Sequence, residues 1–448
     1  MRSRRWAVAL AVSALTMVTG MVLAPNGGAA VLDSSSSILV VCNSPAWAEG
    51  NTYTAGTKVT YNGRLYEALQ THTAHPGAGW NPAATPSLWK DLGACDGTPP
   101  SPTTSPTTSP TSSPTASPTS SPSPTPSQTG ATCAVKSRPS GKVLHGYWEN
   151  WDGSSNGVHP PFGWTPITDS RIRAHGYNVI NAAFPVIRSD GTVLWEDGMD
   201  AGVKVATPAE MCQAKAAGLT ILMSIGGATA GIDLSSSTVA DRFIATVVPL
   251  LKKYNFDGID IDIETGLVGS GNINTLSTSQ ANLIRIIDGV LSRMPSNFGL
   301  TMAPETAYVT GGSVTYGSIW GAYLPIVKKY ADNGRLWWLN MQYYNGSMYG
   351  CSGDSYSAGT VQGFVAQTNC LNAGLVIQGT TIRVPFDKQV PGLPAQPGAG
   401  GGYMTPSLVA QCWNNYNNGL KGLMTWSINW DGSKNWTFGD NVKSLQGR

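Results

Sequence analysis

The sequence predicts an α/β fold, a (β/α)8 TIM barrel, preceded by a small all-β unit. Three observations carry this reading. Residues 97–130 are almost entirely Pro, Ser and Thr and divide the chain in two. After them, eight apolar runs alternate with helical stretches. Before them, short β-type runs flank an Asn-Gly turn.

From the N-terminus, Arg2, Arg4 and Arg5 precede an apolar run over 6–24 and small residues at 27–30. This is the pattern of a cleaved export signal over 1–30. Ser3-Arg4-Arg5 has a faint twin-arginine character that the following residues do not sustain. No other run is apolar enough to span a bilayer, so a soluble, secreted, extracellular protein is expected, with no membrane partner.

An oxidising compartment suits the seven cysteines. Cys42 and Cys95 bracket the small unit and are the expected pair; Cys351 and Cys370 could close a surface loop. Cys133, Cys212 and Cys412 remain, which leaves at least one thiol unpaired. There is no CxxC pair and the five histidines are scattered, so no metal site and no cofactor are expected.

The first folded unit is placed at 40–96. Its runs at 58–61 and 64–68 meet at Asn62-Gly63, a hairpin signal. So small a unit gains from a Cys42–Cys95 bridge. The linker, 97–132, has no residues that could build a core; its prolines favour an extended helix that reaches roughly 100 Å. Its Ser and Thr side chains are candidate glycan acceptors.

The second unit, 139–448, is a fair size for one barrel. The strand signals lie at 143–148, 179–184, 219–225, 258–263, 300–304, 336–343, 390–393 (the weakest) and 420–426. An open doubly wound sheet is the alternative, and no GxGxxG fingerprint supports it.

Composition narrows function. The net charge is +2, with no basic run, which argues against a nucleic-acid partner. The 15 tryptophans are many for this length. Most are expected in the cores, the rest as flat apolar surfaces of the kind that stack on sugars.

The segment Phe256-Asp257-Gly258-Ile259-Asp260-Ile261-Asp262-Ile263-Glu264 carries the chemistry. Strand side chains alternate, so Asp260, Asp262 and Glu264 share the inward face, while Ile259, Ile261 and Ile263 face the covering helices. Asp257 belongs to the other set, at the start of the strand. Three inward acids are costly to desolvate and cannot all ionise, which leaves a protonated group available as a general acid. Glu264, last on the strand, stands at the C-terminal mouth where barrel enzymes place their sites. Asp262 and Glu264 lie on one side of one strand, about 7 Å apart along the backbone. Asp262 is therefore badly placed to attack from behind a bond that Glu264 protonates, and the nucleophile must come from elsewhere.

At these residues the sequence resembles glycoside hydrolase family 18, the chitinases, in their secreted bacterial form. The motif Asp257-x-x-Asp260-x-Asp262-x-Glu264 is joined by Ser224-Ile225-Gly226-Gly227, similar to the family's third-strand SxGG. Gln342-Tyr343-Tyr344-Asn345 resembles the sixth-strand motif, with Asn345 where many relatives have Asp. Trp426 resembles the eighth-strand tryptophan.

The resemblance implies roles. Glu264 protonates the glycosidic oxygen and later activates water, and the sugar's own N-acetyl oxygen attacks to form an oxazolinium ion. Asp262 steadies the acetamido N–H and Asp260 tunes Asp262. Tyr344 holds the acetamido oxygen with Gln342 beside it, and Trp426 stacks under the −1 ring. The short span from Leu393 to Leu420 leaves no room for the insertion of relatives that cut from chain ends, so endo action is expected. The small unit resembles the family 5/12 chitin-binding modules: Trp47, Tyr53, Tyr61, Tyr66 and Trp89 match their aromatic framework, and Trp47 and Trp80 are its candidate ligand contacts. An Ala-Lys-Trp-Trp-Thr run found in some relatives is absent. Chitin and chito-oligosaccharides are the expected partners of a monomeric enzyme. The rivals are an endo-β-N-acetylglucosaminidase acting on glycans, a non-catalytic chitin lectin, and a cellulase pairing Glu264 with Glu305.

Overall fold

The computed structural model describes residues 40, 42–48, 51–69, 72–74, 81–83, 88–95, 130–151, 164–200, 202–228 and 231–448. The export signal, most of the linker and Trp80 lie outside the described residues. The chain forms two compact units.

In the first unit, Lys58–Tyr61, Arg64–Ala68 and Trp89–Ala94 form an antiparallel three-stranded sheet. The first two strands meet at Asn62 (φ 47°) and Gly63 (φ 69°), the left-handed pair a tight hairpin turn requires. Thr52–Tyr53 pairs with His72–Thr73. The core is Tyr53, Val59, Tyr66, Ala68, Ala74 and Trp89, with the Tyr53 and Trp89 rings edge to face at 5.0 Å. A core this small gains from covalent closure, and Cys42–Cys95 provides it.

In the second unit eight parallel strands alternate with helices. They are β1 Val143–Glu149, β2 Val179–Ala183, β3 Thr220–Gly226, β4 Gly258–Asp262, β5 Gly299–Met302, β6 Trp338–Leu339, β7 Gly392–Pro394 and β8 Gly422–Trp426. Each pairs with its chain neighbour from β1 to β6, β7 pairs with β8, and β8 returns to β1. Parallel bridges Leu339–Gln389 and Gln342–Gly392 join the remaining edges and close the barrel. The isoleucines of β4 pack outward as expected: Ile259, Ile261 and Ile263 lie in the core against residues such as Phe243, Val247 and Leu251 of the helix Ser237–Lys253.

Two strands are shorter than their apolar runs. β4 ends at Asp262 because the Ile263 amide and carbonyl both bond the Tyr323 hydroxyl, at 2.9 Å each, instead of a neighbouring strand. β6 is reduced to Trp338–Leu339, although Asn340 and Gln342 still donate to Met302 and Pro304 across the gap.

The barrel base is fastened by the chain just before β1. Cys133 bonds Cys212, the Cys133 amide donates to Asn255, and the Lys136 ammonium donates to the Lys215 and Leu219 carbonyls. Cys351 bonds Cys370, which leaves Cys412 as the buried free thiol.

Candidate active site

The carboxylates of β4 divide by the end of the barrel they face. Asp257, at the base, is fully buried and bonds the buried Lys215 ammonium at 2.7 Å, along with the Lys136 and Ile221 amides. Its partners make it a structural acid.

Asp260 sits in the barrel interior and accepts four hydrogen bonds. Tyr147 (2.8 Å) and Ser224 (2.9 Å) reach Oδ2, while Thr301 (2.6 Å) and Asn340 (3.0 Å) reach Oδ1. These donors come from or follow β1, β3, β5 and β6, so barrel closure assembles the pocket that holds it.

Above it, Asp262 is buried and Glu264 partly so, and the Gln342 amide nitrogen donates to both, at 3.0 and 2.9 Å. Burial, then the charges of Glu264 and Asp260, drive the Asp262 carboxyl well above the usual range. Burial also raises Glu264, while the Gln342 hydrogen bond opposes the rise. Two adjacent acids with raised pKa values keep a proton at the mouth of the barrel, as a general acid requires.

The SxGG residues make this stacking possible. Ser224 contacts Asp260 directly. The Gly227 amide donates to the Asp262 carbonyl at 2.7 Å. A Cβ on Gly226 (φ 118°) would lie 2.2 Å from that carbonyl oxygen, so the backbones can approach this closely only with glycine.

Around the acids opens a cleft of about 610 Å³, lined by Asp262, Glu264, Gln342, Tyr344, Asn345 and Trp426 among others. Trp426 stacks on Phe184 (6.0 Å, 16°) and lies against Trp151 and Tyr147. The Tyr344 phenol is held well above its usual pKa, by burial and then by Asp262 and Glu264, so it stays a neutral hydrogen-bond donor. Asn345, left-handed at φ 62°, clasps Gly401 through its backbone and side chain, and Ala399 beside it lines the cleft.

All five candidate catalytic residues, Asp260, Asp262, Glu264, Gln342 and Tyr344, thus meet, with Trp426 beside them. In the first unit Trp47 is half-buried and packs edge-on against Tyr61 at 5.3 Å. Sequence reasoning missed Tyr147, Thr301 and Asn340, and the aromatic wall of Trp151 and Phe184. Tyr147 alone had a readable signal, alternation along an apolar strand. Among the described residues no group of His, Cys, Asp or Glu is placed to hold a metal ion, and no helix is long and apolar enough to cross a membrane.

Comparison with known proteins agrees with this geometry. Residues 143–315 match the family model "Glycosyl hydrolases family 18", and residues 46–90 match "Carbohydrate-binding module family 5/12". Over 312 residues the chain is 83% identical to Endochitinase 4 of Metarhizium robertsii, covering 70% of this chain and 90% of that one. The chain belongs to glycosyl hydrolase family 18. Endochitinase 37 of Trichoderma harzianum is likewise 83% identical, over 311 residues (69% and 92% of the two chains). Both of these relatives are fungal. A solved family 18 chitinase from Chromobacterium violaceum shares 28% identity at a TM-score of 0.59, over 90% of this chain and all of that one. The family 18 barrel and the family 5/12 module are therefore the two folded units of this chain.

Proposed function

We propose that this protein is a secreted endo-acting chitinase, which hydrolyses β-1,4 linkages between N-acetylglucosamine units and is held on insoluble chitin by its N-terminal module. The observation that carries the reading is the shared Gln342 amide, which sets two carboxyls of raised pKa side by side next to an aromatic-walled cleft. The names of the 83% identical relatives support the substrate. Endo action is supported by the path from β7 to β8, which holds a loop, the helix Pro406–Asn414 and no further domain. The module boundaries are taken as 40–96, the linker as 97–132 and the catalytic domain as 139–448.

In the mechanism we assign, a −1 sugar rests on Trp426. Glu264, protonated before the reaction, gives its proton to the glycosidic oxygen as the bond to the anomeric carbon breaks. The sugar's acetamido oxygen attacks that carbon from the opposite face. Asp262 accepts the acetamido N–H and balances the charge of the oxazolinium ion, and Tyr344 donates to the acetamido oxygen. Glu264, now ionised, deprotonates a water that attacks the anomeric carbon from the face the leaving sugar vacated and breaks its bond to the acetamido oxygen, so configuration is retained. Asp260, fixed by four donors, helps to keep the Asp262 pKa high through its charge.

Release of reducing sugar from colloidal chitin, an N-glycosylated protein and cellulose in parallel tests the substrate. Hydrolysis of chitin alone is expected. Release from the glycoprotein and not from chitin would overturn the reading.

A further inference from the structure

One carboxyl at the mouth of the barrel has no part in this mechanism. Glu305 follows β5, and its backbone bridges to Gln342, the residue that holds Asp262 and Glu264. It stands at the head of the turn Thr306–Tyr308, yet its side chain makes no cap hydrogen bond. Among the described residues no donor or cation is paired with the carboxyl. The group is half-buried and within electrostatic reach of the catalytic acid: burial, then Glu264, raise its pKa. Tyr308 ties the two together, since its hydroxyl donates to the Glu264 carbonyl at 2.7 Å and it feels the charge of both carboxyls.

The strand order sets where Glu305 stands relative to the aromatic wall of the cleft. Trp426, Trp151 and Phe184 cluster where β8, β1 and β2 end. Glu264 and Glu305 follow β4 and β5, across the barrel from β8. In the proposed mechanism the −1 ring rests on Trp426 and the glycosidic oxygen lies at Glu264, so the leaving sugar lies on the far side of Glu264 from Trp426, the side on which β5 ends. The charged residues lining the cleft are Asp200, Asp262 and Glu264, with no Lys, Arg or His among the described lining; Glu305 stands just outside that lining, where its charge reaches Tyr344, a lining residue. Nothing there repels a cation, and an unpartnered half-buried carboxylate is stabilised by one.

We propose that Glu305 binds the protonated amine of a glucosamine in the leaving-group position, which makes partially deacetylated chitin a preferred substrate class. The proposal rests on the substrate-assisted reading, which demands an N-acetyl group on the −1 sugar and leaves the next sugar free to lack one.

The test digests randomly acetylated chitosan with the full chain in mildly acidic buffer and sequences both new ends of each product by mass spectrometry. Glucosamine is expected at the new non-reducing ends about fivefold more often for the wild type than for Glu305→Gln, the size of one partly exposed ion pair. Glu305→Asp, which keeps the charge, is expected to restore part of the bias. Equal non-reducing ends from the wild type and Glu305→Gln would overturn the proposal. Glucosamine at new reducing ends would refute the nucleophile assignment instead, and the non-reducing ends would still report on Glu305.

Discussion

Asp262 and Glu264 share a single donor, the Gln342 amide nitrogen, 3.0 Å from one carboxyl and 2.9 Å from the other. The donor favours the charged form of each acid and so opposes the rise that burial imposes on both. Gln342→Ala removes that opposition, and the Glu264 pKa climbs further. The basic limb of the pH–rate profile, where the acid loses its proton, should therefore move to higher pH. Turnover should fall roughly 10- to 100-fold, the worth of a hydrogen bond to a charged group. A pH profile of kcat on a soluble oligomer checks both, and an unmoved basic limb would remove Gln342 from the role.

Glu264→Gln keeps the shape of the acid and removes its acidic proton. Turnover is expected to drop by roughly 10²- to 10⁴-fold while oligosaccharide binding survives. Rate and calorimetric affinity, measured on one preparation, separate this from misfolding.

Asp262 carries a stability cost with a definite sign. Its folded pKa lies above the unfolded value of about 3.9. Between those values the folded state binds more protons, so stability falls as pH rises through the window. Asp262→Asn should flatten that slope and stabilise the barrel at neutral pH by about 1–2 kcal/mol, while turnover collapses. Thermal melts across acid and neutral pH read this directly, and a variant that melts lower than the wild type at neutral pH would contradict it.

Much of the site was legible because it is written locally. The acids of β4 alternate at the strand period, the isoleucines between them fill the other face, and Ser224-Ile225-Gly226-Gly227 is one short run. The convergence of four donors on Asp260 was not legible, because Tyr147, Ser224, Thr301 and Asn340 are scattered along the sequence and meet only when β1, β3, β5 and β6 curl into one ring. The end of β4 was hidden for the same reason: Tyr323, distant in sequence, takes the hydrogen bonds of Ile263. Six cysteines paired as their positions allow, and Cys412 was left over by the burial of its own helix.

Trp80, outside the described residues, carries the prediction for the small module. If its ring stacks on the sugars of insoluble chitin, Trp80→Ala should weaken adsorption by about 1–3 kcal/mol. Hydrolysis of short soluble oligomers should hold, because that reaction belongs to the barrel. Equal losses in both assays would make Trp80 a folding residue.

The nucleophile is the central claim, since Asp262 and Glu264 lie on one side of the bond and an attack from the other face falls to the substrate. Its most direct measurement is the anomer first released from a soluble N-acetylglucosamine oligomer, read by proton NMR in the opening minutes of the reaction. The account gives the β-anomer first, with α appearing only by mutarotation. An initial α-anomer would mean that water attacks directly, and the substrate-assisted mechanism would not hold for this protein.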